Sequence, residues 1–169
     1  LEIDSVLKQR VNPISKKNYY YVFHFTKRKD EDLPDEECFD GCYCRHYTRR
    51  KVLEGQANAL YDFRERFRKA ASNVLGIDAC AQEIGCRPEV FAVVFRFLAE
   101  HVTEEVVGAE KVPQLKMTYH VGEDFLDVVD GLRAVDEAIY FLNLQCGDRI
   151  RHGTVLGIDV KKWYALKQY

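Results

Sequence analysis

The sequence lacks a long hydrophobic run and lacks an excess of either charge. Its 169 residues include 25 Lys and Arg and 27 Asp and Glu, which gives a formal net charge of -2. A membrane-spanning helix needs about 20 consecutive apolar residues, and a general nucleic-acid binder presents a strongly basic surface. We therefore expect neither membrane insertion nor broad nucleic-acid binding. With 47% hydrophobic residues and only 10 glycines and 4 prolines, disordered and collagen-like chains are also excluded.

A secretory signal pattern is also missing, because charged residues stand among the first ten, where an apolar segment would be required. Several of the 6 cysteines lie in apolar segments, where a reduced thiol behaves as a small buried hydrophobic group. We therefore expect a cytoplasmic protein with reduced thiols. Cys38, Cys42, Cys44 and His46 form a cluster without the spacing of a standard zinc finger. Whether this cluster binds a metal is left open.

Strand patterns and helix patterns alternate along the chain. Aromatic and β-branched runs predict strands at about 18–26, 73–78, 114–121 and 148–152. Apolar residues three and four positions apart predict helices at about 47–72 and 124–144. Pro88, near a helix start, and the apolar stretch 90–101 predict another, and a last helix is expected at about 158–167. This alternation predicts an α/β fold with a parallel sheet, in a single domain over residues 1–169.

Candidate reactive residues fall at the predicted strand ends, which is where parallel α/β folds place their sites. Asp78 ends the second strand, His120 and Glu123 follow the third, and His152 ends the fourth. A strand-end histidine can bind a metal, and Gly122 lets the chain turn so that a carboxyl enters the same pocket. A second histidine can take a proton from water. This set suits metal-assisted hydrolysis.

The same residues also permit a structural interpretation. A strand-end histidine can be a hydrogen-bonded structural residue, and Asp78 can cap a turn. His24, inside an aromatic strand, and His101, at a helix end, are interpreted as structural.

Three segments carry longer motifs. Residues 118–123 read Thr-Tyr-His-Val-Gly-Glu, residues 148–154 read Asp-Arg-Ile-Arg-His-Gly-Thr, and residues 75–83 read Leu-Gly-Ile-Asp-Ala-Cys-Ala-Gln-Glu. These resemble the His-Ala-Gly-Glu, Arg-Ile-Gly-His-Gly and Gly-Ile-Asp-Leu-Ala-Gly-x-Glu segments of the adenosine deaminase family of metal-dependent amidohydrolases. The resemblance covers about residues 15–167, with 18–26 in the place of the family's third strand.

The resemblance implies a (β/α)₈ TIM barrel that removes the 6-amino group of a purine nucleoside by hydrolysis, with Zn²⁺ as cofactor. It implies that His120 is a zinc ligand, that Glu123 protonates the purine ring, and that His152 orients or deprotonates the attacking water. It also implies that Ala81 and Gly122 lie against the substrate.

The sequence also departs from the family pattern. It has no His-x-His pair and no late aspartates, so one of four family zinc ligands is present, and Ala81 and Arg151 replace glycines. A complete barrel needs about 250 residues. We therefore expect a partial barrel of about four β/α units, a fragment that is inactive by itself. Its open sheet edges would favour a homo-oligomer.

Two further hypotheses stay open. The chain could be a non-catalytic binding or assembly module derived from a barrel. Alternatively, it could act on a related substrate, namely adenine, a nucleotide or an adenosine within a nucleic acid.

Overall fold

The computed structural model describes residues 19–29, 45–104, 107–108 and 111–167. The strands are β1 (Tyr21–Lys27), β2 (Val74–Ala81), β3 (Lys116–Val121) and β4 (Arg149–His152). The helices are α1 (Tyr47–Arg66), α2 (Arg68–Ala71), α3 (Ala92–Glu100), α4 (Val128–Phe141) and α5 (Val160–Lys167). Short 3-10 helices cover Pro88–Val90 and Thr154–Gly157. Cys38, Cys42 and Cys44 lie outside the described residues.

The four strands form one parallel sheet in the order β1-β2-β3-β4. Parallel neighbours require crossover connections, and helices lie in each of them between successive strands. The α/β alternation predicted from the sequence is confirmed. Because every strand runs in the same direction, the residues that end the strands meet at one edge of the sheet.

The helices bury one face of this sheet. Phe25 of β1, Ile77 of β2 and Tyr119 of β3 are fully buried. The ring centroid of Phe95, from α3, lies 5.5 Å from that of Phe25 and 5.9 Å from that of Tyr119. Each such aromatic side chain contributes roughly 1.5–3 kcal/mol through burial. Side chains alternate along a strand, so the intervening residues, including His24 and His120, belong to the opposite face.

The predicted end of the second strand is wrong. β2 continues three residues beyond Asp78, because Cys80 and Ala81 still pair with Thr26 and Lys27 of β1. Asp78 therefore lies inside the strand, and its side chain is only 1% exposed. It cannot cap a turn from this position. Its buried carboxylate therefore needs hydrogen-bond or charged partners within the sheet.

Two predicted helix limits also change. The helix expected from Asp124 begins only at Val128, because the Asp127 side chain accepts a hydrogen bond from Val129 N and caps the first turn. The helix expected over 47–72 is interrupted at Phe67, where φ is -120° and ψ is 52°. No helix in the described part of the chain has the length and apolar character needed to span a bilayer.

Candidate active site

The strand ends bring His120, Glu123 and His152 together. The ring centroids of His120 and His152, on the neighbouring strands β3 and β4, are 5.0 Å apart. The Nε2 atom of His152 is 3.1 Å from Glu123 Oε2. The imidazole of His120 is largely buried. The imidazole of His152 and the carboxylate of Glu123 are more open to solvent. The two histidines thus share one edge, as their positions in the sequence predict.

The buried carboxylate of Asp78 orients His120. Its Oδ1 atom is 3.0 Å from His120 Nδ1. A carboxylate only accepts hydrogen bonds, so the Nδ1–H of His120 donates, and in the neutral imidazole the Nε2 atom keeps its lone pair. Carboxylate–histidine pairs of this kind are typical of histidines that bind a metal through the other ring nitrogen. Asp78 is therefore part of the site, although it does not end its strand.

A positive φ marks three of the four strand ends. Ala81, Gly122 and His152, which end or follow β2, β3 and β4, have φ values of 78°, 81° and 66°. Such left-handed conformations cost a non-glycine residue roughly 1–2 kcal/mol, and they cluster at functional sites. A side chain at residue 122 would place its Cβ only 2.8 Å from Val155 Cγ1. Glycine is therefore required at residue 122. Ala81 also has a positive φ, a conformation that glycine adopts without strain, and the resembled family has glycine at this position.

Glu83 holds the turn between His120 and Glu123, a role that we did not predict. Its Oε2 atom accepts hydrogen bonds from Gly122 N at 2.8 Å and from Glu123 N at 3.4 Å. From the other side, Thr154 Oγ1 donates to Gly122 O at 2.6 Å. Glu83 closes the motif that begins at residue 75, and that position is the sequence signal from which its importance could have been inferred.

Lys27 supports the site from the helix-covered face and was also missed. Its Nζ atom donates to the carbonyl oxygen of His120 and lies 4.1 Å from the centroid of the Tyr119 ring. Burial lowers the pKa of Lys27 to about 8, and the negative charge of Glu83 opposes this shift only in part. No pattern in the sequence distinguishes this lysine from the charged residues that follow it.

His24 contacts the site from β1, although we interpreted it as structural. Its Nδ1 atom is 3.3 Å from Asp78 Oδ2 and 3.4 Å from Cys80 Sγ. Burial raises the pKa of the Cys80 thiol, which favours its neutral form. His101, the other histidine interpreted as structural, contacts Glu65 of α1, with Nε2 2.7 Å from Glu65 Oε1.

Ala81 and Arg151, which stand where the resembled family has glycine, lie near the same edge. Ala81 ends β2 and pairs with Lys27, and its small side chain is exposed. Arg151 pairs with His120 across β3 and β4, and its side chain is also exposed. Arg151 therefore adds a solvent-accessible positive charge beside His120, on the same face of the sheet.

The described residues supply one candidate metal ligand, His120, but not a complete set. Within them, no group of three or more His, Cys, Asp or Glu side chains is arranged to hold a metal ion. Comparison of the chain with models of known protein families gave no match, and comparison with curated proteins gave no significant similarity.

Proposed function

We propose that the protein is a zinc-dependent hydrolase that deaminates adenosine or a closely related purine. The observation that carries this proposal is the pair of imidazoles, His120 and His152, at the ends of neighbouring parallel strands. Each imidazole contacts a different carboxylate: His120 contacts Asp78, and His152 contacts Glu123. A metal-ligating histidine, a base and an acid at one edge are the groups that hydrolytic deamination requires.

We also propose that the sheet is part of a (β/α)₈ barrel. The strand order β1-β2-β3-β4 follows the chain, which supports this assignment. Doubly wound sheets reverse their strand order at a switch point, whereas barrels do not. In a barrel, the edge that carries His120 and His152 is the face at which active sites lie.

The environment of His120 fits one part of a zinc site. Its Nδ1 atom faces Asp78 at 3.0 Å, so Nε2 is the nitrogen that would bind the metal. Catalytic zinc sites have three protein ligands, so the remaining ligands would come from residues outside those described. When bound, zinc supplies Lewis-acid activation of a water molecule near neutral pH.

The residues of this chain would divide the proton transfers between them. Glu123, in its acid form, protonates N1 of the purine as the water oxygen forms a bond to C6, and His152 takes one proton from that water. The bond from C6 to the amino nitrogen then breaks, and the amino group leaves as ammonia with the proton from His152. The hydroxyl proton on C6 returns to Glu123. Adenosine and water thus give inosine and ammonia.

We also propose that this activity is cytoplasmic. Cys80 and Cys146 are free thiols, which is the state expected in a reducing compartment.

The test is deamination by the full-length gene product, purified in the presence of Zn²⁺. Ammonia release and zinc content are measured with adenosine, adenine and AMP as substrates. Glu123→Gln removes the proton donor, so we expect kcat to fall by about 10²–10⁴-fold. His152→Asn should lower kcat over a similar range, because it removes the base.

The matched control is Glu54→Gln, the same chemical change on an exposed residue of α1 that pairs with Lys51. It should leave kcat and KM unchanged. Turnover that is lost in Glu123→Gln and kept in Glu54→Gln supports the proposal. Wild-type protein that retains no zinc after purification with Zn²⁺, and that releases no ammonia from any of the three substrates in its presence, overturns the proposal and favours a barrel-derived binding module.

A further inference from the structure

His24 lies in the same row of the sheet as the buried carboxylate of Asp78. The two residues pair across β1 and β2, and this row continues to Thr118 of β3 and Arg149 of β4. Paired residues of adjacent parallel strands point to the same face, so His24 approaches Asp78 from the side opposite β3. His120 lies two residues after Thr118 on β3, on the same face, and approaches Asp78 from the other side.

Asp78 thus stands between two imidazoles. Its Oδ1 atom is 3.0 Å from His120 Nδ1, and its Oδ2 atom is 3.3 Å from His24 Nδ1. A buried carboxylate is costly unless each oxygen has a polar or charged neighbour. Asp78 is 1% exposed, whereas His24 is 49% exposed, so His24 closes the side of the carboxylate that faces solvent.

We propose that His24 is a positioning residue for His120, acting through Asp78. This inference rests on the proposed function, in which His120 binds the metal. His24 keeps the Asp78 carboxylate in the plane in which its Oδ1 atom meets the Nδ1–H of His120. Loss of His24 leaves one carboxylate oxygen without this neighbour, so the carboxylate can rotate or admit water, and the orientation of His120 is relaxed.

Cys80 offers a competing explanation that the test must separate. Its Sγ atom is 3.4 Å from the same Nδ1 atom of His24. If His24 served only to pack against this thiol, the Cys80→Ala variant would have the same effect as loss of His24. In our proposal Cys80 only steadies the imidazole, so Cys80→Ala keeps most of the activity.

The first measurement is steady-state deamination by variants of the full-length gene product. Because the loss of an outer partner of a metal ligand typically costs 10–100-fold, His24→Leu should lower kcat by roughly 10-fold and leave KM unchanged. His24→Asn keeps a donor near the position of Nδ1 and should restore most of kcat. Thr26→Val, a change on the same strand and beside Cys80 in register, is the matched control and should behave as wild type.

The second measurement does not depend on turnover. Zinc affinity is determined by competition with a chelator, with Zn²⁺ alone as the probe, on the same four proteins and on Cys80→Ala. His24→Leu should raise the Kd for zinc by roughly 10-fold, whereas His24→Asn, Thr26→Val and Cys80→Ala should keep it near the wild-type value. Thermal unfolding of each variant identifies any loss of fold.

The outcomes distinguish the two proposals. An active wild type whose kcat and zinc Kd are unchanged in His24→Leu overturns the positioning role and leaves the deaminase proposal standing. A wild type that binds zinc without turnover, but more weakly in His24→Leu, supports the positioning role while the deaminase proposal fails. Equal losses in His24→Leu and His24→Asn, or in His24→Leu and Cys80→Ala, also overturn the positioning role.

Discussion

At the residue scale, the candidate site depends on a turn in which two backbone N–H groups point at one side chain. Gly122 adopts a φ of 81°, and its N–H donates to Glu83 Oε2 at 2.8 Å. The N–H of Glu123 shares the same acceptor. Glu83 therefore holds the backbone of the proposed acid, in addition to the contact between the Glu123 side chain and His152. Substitutions in this turn should affect stability and catalysis together.

Gly122→Ala should destabilise the protein by about 2 kcal/mol or more, because the new Cβ would meet Val155 and Val135 in a conformation that L residues avoid. Ala81→Gly is the reverse change at a φ of 78° and should leave the free energy of unfolding within about 1 kcal/mol of wild type. Urea denaturation of both variants provides the measurement. A Gly122→Ala midpoint equal to that of wild type would contradict the assigned conformation.

Glu83→Ala should lower deaminase activity and stability, because it leaves the N–H groups of Gly122 and Glu123 without an acceptor. Leaving the partly buried N–H of Gly122 unpaired costs roughly 1–3 kcal/mol. Glu83→Gln keeps an acceptor oxygen and should retain more of both properties. The kcat/KM for adenosine and the urea midpoint are measured for each variant. Equal values for Glu83→Ala and Glu83→Gln would exclude this role.

The sequence predicted the members of the site that follow a strand end and belong to a motif. His120, Glu123 and His152 were identified in this way. His24 was not, because its contact with Asp78 depends on the register between β1 and β2, which no periodicity in a single segment specifies. Whether the identified residues have the roles implied by the resemblance remains a prediction, which the kinetic variants test.

At the element scale, Lys27 joins strands that are not neighbours. It ends β1, and its Nζ atom donates to the carbonyl oxygen of His120 on β3, with β2 between them. The side chain is 2% exposed, and burial is the main cause of its lowered pKa. The ammonium therefore serves as a link between strands at a cost in desolvation. That cost makes the stability depend on pH.

Lys27→Met should change the pH dependence of stability between pH 8 and 10.5. In this window the unfolded chain holds more protons on Lys27 than the folded chain does, so raising the pH stabilises wild type relative to a variant without this group. Between pH 8 and 10.5, the unfolding free energy of wild type should therefore rise relative to that of Lys27→Met by up to about 3 kcal/mol. Urea denaturation across this range measures it, and parallel curves for the two proteins would contradict the assignment.

The elements themselves were largely predictable, and their limits were not. All four strands were located within three residues of their predicted limits where the structure describes them. Helix α4 starts later than its apolar pattern because the Asp127 side chain caps it. Its buried side includes Gly131, which hydrophobic spacing cannot identify as a packing position. Capping and close packing depend on single atoms, whereas periodicity averages over several residues.

Gly131→Ala and Gly55→Ala should have opposite effects, although both place alanine inside a helix. Alanine is favoured over glycine in helices by about 1 kcal/mol, and a Cβ at Gly55 meets nothing within 4 Å, so this variant should gain stability. At Gly131 the Cβ would lie 2.8 Å from Val155 Cγ2 and 2.9 Å from Phe125 Cγ. Overpacking of this kind costs about 1–3 kcal/mol. Thermal unfolding of the two variants compares them, and stabilisation by Gly131→Ala would refute the packing of α4.

At the scale of the whole molecule, the described sheet has helices on one face and candidate reactive groups on the other. β1 and β4 are its outer strands. An outer strand leaves alternate backbone N–H and C=O groups without a ladder partner, which favours pairing with further strands. Completion of a barrel and association of copies are two ways to cover these edges.

Barrel closure predicts how backbone amides exchange with solvent in the full-length gene product. If β1 and β4 pair with further strands of a barrel, the amides of residues 21–27 and 149–152 should exchange as slowly as those of β2 and β3, because all share one cooperative ladder. Hydrogen exchange read by mass spectrometry tests this, with β2 as the internal reference. Sedimentation at two protein concentrations separates closure from association, because protection that falls on dilution belongs to an oligomer. Fast exchange confined to β1 and β4 would show that the edges are open and would remove the structural basis for a barrel active site.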